Sequence, residues 1–458
     1  MSLHGEGKGA PGPPADQSAT SDHVTNPRVT LREATLVWAK IGLMSFGGPA
    51  GQIALMHRIL VDEKRWIDET RFLHALNFCM LLPGPEAQQL ATYVGWIMHR
   101  IRGGLIAGTL FVLPGFLVIL GLSFLYVTSG DLPFVHGVFV GLKAAVIVIV
   151  LQAVIRIGRR SLRSAGALLL AAVAFLAMFV WKVPFPAVIL VAAVTGALMS
   201  RVPTHATADV DEPSGQAEPA SAGAGYVVRC IAVFGALWLA PTVIVLATLG
   251  PDDVFSNIAL FFSKMAVVTF GGAYAVLAYV SQEAVLTYHW LAPGEMIDGL
   301  ALAETTPGPL ILVTEFVGFV AAWRNPGALS PALAGVFGGA LTTWVTFVPS
   351  FLWIFAGAPY IERLRHNREL AAALSGVTAA VVGVIVNLAL WFSIHALFSE
   401  VTHNRIAGAV LELPVVQSFR TSSVLITLIA AVLVFRLNAS LTTTLLVTGT
   451  LGAATFIL

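Results

Sequence analysis

Residues 40–49 read KIGLMSFGGP, and 224 positions further on residues 264–273 read KMAVVTFGGA. The same offset lays Lys40–Pro85 on Lys264–Pro309 without a gap, with 11 of 46 positions identical. Lys40 meets Lys264, Phe46-Gly47-Gly48 meets Phe270-Gly271-Gly272, Trp66 meets Trp290, and Pro83-Gly84-Pro85 meets Pro307-Gly308-Pro309. Downstream, Pro114-Gly115-Phe116-Leu117 resembles Pro349-Ser350-Phe351-Leu352, and the stretch 141–146 resembles 376–381. Chance supplies one such match; a collinear series marks an internal duplication. Each copy also interrupts an apolar run. Proline removes a backbone donor and clashes with the preceding helical turn, while glycine permits conformations closed to other residues.

The surroundings of these motifs are strongly apolar. Of 458 residues, 57% are hydrophobic and 11% charged, and the mean hydropathy is +0.83. A soluble chain would carry roughly a quarter charged residues, so most of this surface is expected to face lipid. A formal net charge of +1 provides no basic field for nucleic acid. Cys79 and Cys230, far apart in apolar stretches, read as packed free thiols. The eleven histidines include no close pair suited to metal ligation. The expectation is a protein without cofactor, metal or catalytic constellation, hence not an enzyme.

Apolar windows approaching the roughly 20 residues of a bilayer crossing fall near 34–56, 72–98, 104–128, 134–156, 164–181 and 184–200. More follow near 226–249, 256–280, 296–322, 332–356, 369–397, 421–436 and 439–457. The fold class is therefore all-α polytopic membrane protein, with about 13 hydrophobic segments, some of them broken or re-entrant. Residues 1–33 read as a disordered cytoplasmic tail, 34–200 as the first repeat and 250–458 as the second. Between them lie a flexible cytoplasmic linker, 201–225, rich in Pro, Ala, Ser and Gly, and an inserted helix, 226–249. That extra crossing makes the count before the second repeat odd and turns the second repeat upside down, giving two inverted-topology repeats. Loop charge agrees. Arg156, Arg159, Arg160 and Arg163 mark one cytoplasmic loop and Arg363, Arg365 and Arg368 another, whereas 128–133 and 250–255 carry no Lys or Arg. Arg58, Lys64, Arg65 and Arg71 return to the cytoplasm if 34–56 and 72–98 are re-entrant hairpins.

Unpaired backbone at membrane depth survives only where it lines a cavity or is buried in protein. The candidate substrate site is therefore Ser45, Phe46, Gly47, Gly48, Pro49, Pro83, Gly84 and Pro85 with Thr269, Phe270, Gly271, Gly272, Pro307, Gly308 and Pro309. The plainer reading is a set of kinks for tight packing. Half-helix N-termini expose N–H groups and partial positive charge, and inverted repeats bring two such ends together at the midplane. Lys40 and Lys264, five residues before Ser45 and Thr269, either neutralise a bound anion or snorkel to the interface. Lys143, matched by Thr378, belongs to an asymmetric site or to a structural ion pair. Glu86, Glu304 and Glu315 are acids at membrane depth, read as charge partners of the lysines rather than proton carriers. His395 reads as a packed histidine.

The Phe-Gly-Gly-Pro stretch, the spacing of Trp66 and Pro-Gly-Pro, and their second copies after a central linker resemble the chromate ion transporter family, in its long two-domain bacterial form. The likeness spans roughly 30–440 and departs where Ala273 replaces Pro49. It implies export of chromate from the cytoplasm across the bacterial inner membrane, conferring resistance, with sulfate as the structural analogue. A dianion leaving through 100 mV, interior negative, gains about 4.6 kcal/mol, so export needs only a gated path. Proton-coupled uptake of sulfate, a passive channel and an intramembrane enzyme are the alternatives. The partners expected are chromate or sulfate, the lipid bilayer, and for assembly a homodimer.

Overall fold

The computed structural model describes residues 29–130, 132–199, 223–270, 272–360, 367–406 and 409–457. The bulk of the linker, the first 28 residues of the tail, Arg363, Arg365 and Gly271 lie outside the described residues. The chain is an all-α polytopic membrane protein. Among the described residues five helices are long and apolar enough to cross a membrane, at Glu86–Ser129, Pro133–Ser161, Ala224–Leu249, Pro331–Tyr360 and Arg368–Leu397.

Four of the expected windows are broken in two, where the Gly and Pro motifs demand it. The first splits into α1 (Leu31–Met44) and α2 (Gly48–His57), the second into α3 (Glu69–Cys79) and the start of α4 (Glu86–Ser129). In the second repeat the same breaks divide α9 (Val254–Val268) from α10 (Ala273–Ser281), and α11 (Pro293–Thr305) from α12 (Val313–Arg324). A helix of 14 residues such as α1 is about 21 Å long, short of the roughly 30 Å hydrocarbon layer. Both α2 and α10 end in a π-helical turn, at Arg58–Glu63 and Gln282–Thr287.

One break carries no proline. At His99 and Arg100 the backbone of α4 leaves helical geometry (φ −138° and +54°), and the two limbs fold back on each other. A Cβ on Gly95 would lie 2.5 Å from the Gly103 carbonyl oxygen, so only glycines allow the limbs to touch there. The remaining helices are α5 (Pro133–Ser161), α6 (Ala165–Trp181), α7 (Phe185–Met199), α8 (Ala224–Leu249), α13 (Pro331–Gly357), α14 (Arg368–Leu397), α15 (Thr421–Ala431) and α16 (Leu441–Ile457). Leu168, Leu169, Leu190 and Val191 on α6 and α7, and Val228 and Val243 on α8, present apolar side chains outward, as a lipid-facing surface does. By contrast α12 is buried from Val313 to Ala322.

One feature departs from the expected helix-only order. Between α14 and α15 an antiparallel hairpin pairs β1 (Val401–Ile406) with β2 (Ala409–Pro414), Val401 opposite Pro414. The segments VTHNRI and AVLELP are six residues each, too short to register in a window of helix length.

Candidate functional site

The two duplicated breaks meet each other across the repeats. The Gly84 N–H donates to the Thr269 carbonyl at 3.0 Å, and the Gly308 N–H donates to the Ser45 carbonyl at 2.8 Å. Adding 224 to Gly84 gives Gly308, and subtracting it from Thr269 gives Ser45. The two bonds thus exchange under one pseudo-two-fold rotation. The proline-bearing helices cross over in the same way. A Cβ on Gly115 (α4) would sit 2.4 Å from the Pro307 carbonyl oxygen, while Ser350 (α13) Oγ lies 3.1 Å from where a Gly84 Cβ would be. Each repeat therefore closes the other's Pro-Gly-Pro turn. Gly84 and Gly308 adopt φ of +121° and +95°, a region in which side chains are strained.

Beside these contacts lies a cleft of about 340 Å³, lined by Pro49, Gln52, Gly84, Pro85, Glu86, Ala87, Thr269, Gly272, Ala273, Pro309, Leu310 and Ile311. Four helical starts open onto it: α2 at Pro49, α4 at Glu86 and Ala87, α10 at Gly272 and Ala273, and the short 3₁₀ turn Leu310–Leu312 that leads into α12. The first N–H groups of a helix have no partner within it and carry the positive end of its dipole. The cleft consequently gathers amide donors and partial positive charge without a formal cation on its wall.

The residues singled out in the sequence divide between the cleft lining and its surroundings. Pro49, Gly84, Pro85, Glu86, Thr269, Gly272 and Pro309 line the cleft. Ser45 and Thr269 turn their hydroxyls back to their own helices, donating to Ile41 O at 2.6 Å and Met265 O at 2.5 Å, so neither hydroxyl is offered to a ligand. Gly47, Gly48, Pro83, Pro307 and Gly308 shape the turns behind the wall, and Phe46 is 45% exposed. Phe270 is half-buried and packs against the main core.

The expectation for the lysines is corrected. Lys40 and Lys264 lie on exposed faces of α1 and α9, outside the cleft lining. Spacing along a helix fixed how far they stand from the motif, but not which side of the helix they occupy. Nor do they partner the acids: among the described residues neither lysine forms an ion pair with Glu86, Glu304 or Glu315, and the intramembrane lysine that is paired is Lys143. Glu304 is buried and accepts from the Tyr274 hydroxyl at 2.8 Å. Glu315 is fully buried and neither of its carboxyl oxygens has a hydrogen-bond partner among the described residues.

Lys143 takes the structural reading. Its ammonium is 3.1 Å from Asp298, with side chains 16% and 6% exposed, and the Tyr126 hydroxyl donates to the same carboxylate at 3.0 Å. Asp298 went unnoticed in the sequence, although a lysine at membrane depth without a counterpart in the other repeat called for an acid nearby. Gln52 was also missed. Its side-chain amide donates to Gly308 O at 2.5 Å and to Ser45 O at 3.3 Å; the second repeat has Val276 there.

With this geometry in hand, likeness to other proteins has a physical frame. The family described as "Chromate transporter" matches residues 32–197 and 256–454, and helix α8 lies between the two stretches. A chromate transport protein of Cupriavidus metallidurans is 30% identical over 376 residues, covering 82% of this chain and 86% of that protein. One from Pseudomonas aeruginosa is 33% identical over 376 residues, 81% of this chain and 83% of that protein. An uncharacterized transporter of Methanocaldococcus jannaschii is 27% identical over 356 residues, 78% and 82% respectively. No solved structure matches this chain.

Proposed function

This chain belongs to the chromate transporter family, and from that premise we propose that it exports chromate from the cytoplasm across the bacterial inner membrane and so confers resistance. The observation that carries the reading is the convergence of four helix N-termini on one cleft at the junction of the repeats. A tetrahedral dianion needs many donors around it and little formal charge of its own sign, and backbone amides supply the donors at fixed positions. Arg156 and Arg160 stand at the end of α5 that sequence charge assigns to the cytoplasm, and concentrate anions there. Lys40 and Lys264 are outside the cleft and are not needed to hold the ion.

The direction follows from charge. A dianion moving out of a negative interior gains about 4.6 kcal/mol per 100 mV, so a gate that alternates access is sufficient. Proton-coupled uptake of sulfate has one observation in its favour, the acid Glu86 on the cleft wall. Labelled chromate and sulfate offered to everted and to right-side-out vesicles separate the two. Export predicts chromate accumulation in everted vesicles that persists without a pH gradient. Accumulation of sulfate in right-side-out vesicles, abolished by collapsing the pH gradient, refutes it. In the same assay Lys40→Ala and Lys264→Ala should keep most of the flux while Gly308→Ala loses it.

A further inference from the structure

The central cleft carries two acceptors that a bare oxyanion has no hydrogen to answer. Glu86 is the only titratable residue among the described residues that line it. An acid in the first turn of its own helix is ordinary, because it meets the positive end of the dipole, and Glu86 opens α4. Its carboxylate, however, reaches across to another helix. Oε1 lies 4.0 Å from where a Cβ on Gly272, the N-cap of α10, would be. Among the described residues that carboxylate has neither a hydrogen-bond donor nor an ion-pair partner. Gln52 is the second case. Its Nε2 donates to the carbonyls of Gly308 and Ser45, which fixes the orientation of the amide, and its buried Oε1 is left without a partner.

The titratable and charged groups of the surrounding elements are engaged elsewhere. Cys79 of α3 is a buried free thiol, Tyr274 of α10 donates to Glu304 of α11, and Arg160 of α5 is exposed. The Thr269 hydroxyl is spent on Met265 O. A bare dianion entering this cleft would find backbone donors, but also a carboxylate that repels it and acceptors that it leaves unmatched, both of which are costly. An oxyanion that brings one hydrogen removes both faults. It carries one negative charge fewer, and its O–H donates to the carboxylate in a charge-assisted bond, which is short and strong.

We propose that the cleft binds chromate together with one proton, held between an oxygen of the ion and the Glu86 carboxylate, and that Glu86 thereby selects among tetrahedral oxyanions. The inference rests on the transport reading above and names the species taken by that same site. The proton comes from water, and no bond within the ion breaks. Dianion and proton cross as a single negative charge, which a negative interior still drives outward. Selection follows from basicity. Hydrogen chromate is a weak acid that keeps its hydrogen near neutrality, whereas sulfate and selenate are the bases of much stronger acids and bring none. Backbone donors fit all three ions; the acceptors tell them apart, as a site built to bond a substrate hydroxyl rejects the analogue that lacks it.

Equilibrium binding of labelled chromate and labelled selenate, an ion of nearly the same size, to the full chain in phosphatidylcholine nanodiscs tests it. At neutral pH wild type should prefer chromate by about 100-fold or more. Glu86→Gln removes the charge at nearly constant shape. It should bind selenate more tightly than wild type does, and its preference for chromate should shrink by about tenfold or more. In mildly alkaline buffer free chromate is the bare dianion. Calorimetry in buffers of different ionisation enthalpy should then report about one proton taken up per chromate bound by wild type, and none by Glu86→Gln. Equal affinity for the two ions in wild type, an unchanged preference in monodisperse Glu86→Gln, or chromate bound without proton uptake overturns the role of Glu86 and leaves the transport reading standing. Wild type that binds neither ion sinks the cleft as the transport site, and this selection with it.

Discussion

Replacing Gln52 by leucine keeps the side chain's bulk and deletes its amide, which is 1% exposed and bridges the two repeats at the edge of the cleft. Two carbonyls lose a donor, but not equally. Ser45 O retains the Gly308 N–H at 2.8 Å. Gly308 O, which accepts from Gln52 at 2.5 Å, is left without a side-chain donor in an interior where water is scarce. An orphaned buried acceptor costs about 1–3 kcal/mol, equivalent to about a 5- to 140-fold shift against the docked arrangement of the tips. Chromate flux into everted vesicles, normalised to protein in the membrane, should fall within that range, and the purified variant should unfold at a lower temperature. Flux within twofold of wild type at equal abundance would refute the idea that this amide holds the junction together.

Lys143→Met should strand the Asp298 carboxylate, whose side chain is 6% exposed; breaking such a pair from one side costs about 3–5 kcal/mol. The yield of monodisperse protein should drop and recover in Lys143→Met/Asp298→Leu, whereas a single variant as stable as wild type would remove the pair's structural role. At the end of α2 the hydrogen bond that His57 donates to the Glu69 carboxylate at the start of α3 raises His57 above the usual histidine value of 6.5. A raised value means that protonated His57 stabilises the fold below pH 6.5 and that this contribution disappears as pH climbs through the shifted value. The difference in thermal midpoint between wild type and His57→Gln should therefore be largest in acid and fade in alkali; a gap that widens with pH contradicts the sign.

The offset of 224 residues is readable with no structure at all, and it locates both breaks and both Pro-Gly-Pro turns, though not which groups of one copy bond to the other. Glycine and proline act on the backbone locally, so their effect survives without knowledge of neighbours. The charged residues were harder. Lys40 and Lys264 sit at the same point of each copy, yet symmetry of sequence constrains only that they share an environment, and that environment is an exposed helix face. Gln52 and Asp298 have Val276 and His74 as counterparts, so a search for what the copies share passes over the residues that make the site asymmetric.

The reciprocal bonds between Gly84 and Thr269 and between Gly308 and Ser45 also set a timetable. Ribosomes add about 5–20 residues per second, so the amide of Gly84 emerges roughly 9–37 s, and the carbonyl of Ser45 roughly 13–53 s, before the groups that answer them. During that interval the earlier half sits in the bilayer with polar backbone and no matching partner. A newborn half of this kind is a natural client for whatever shelters unfinished membrane proteins. Slowing translation between residues 203 and 253 would prolong the exposure and should increase degradation of the nascent chain.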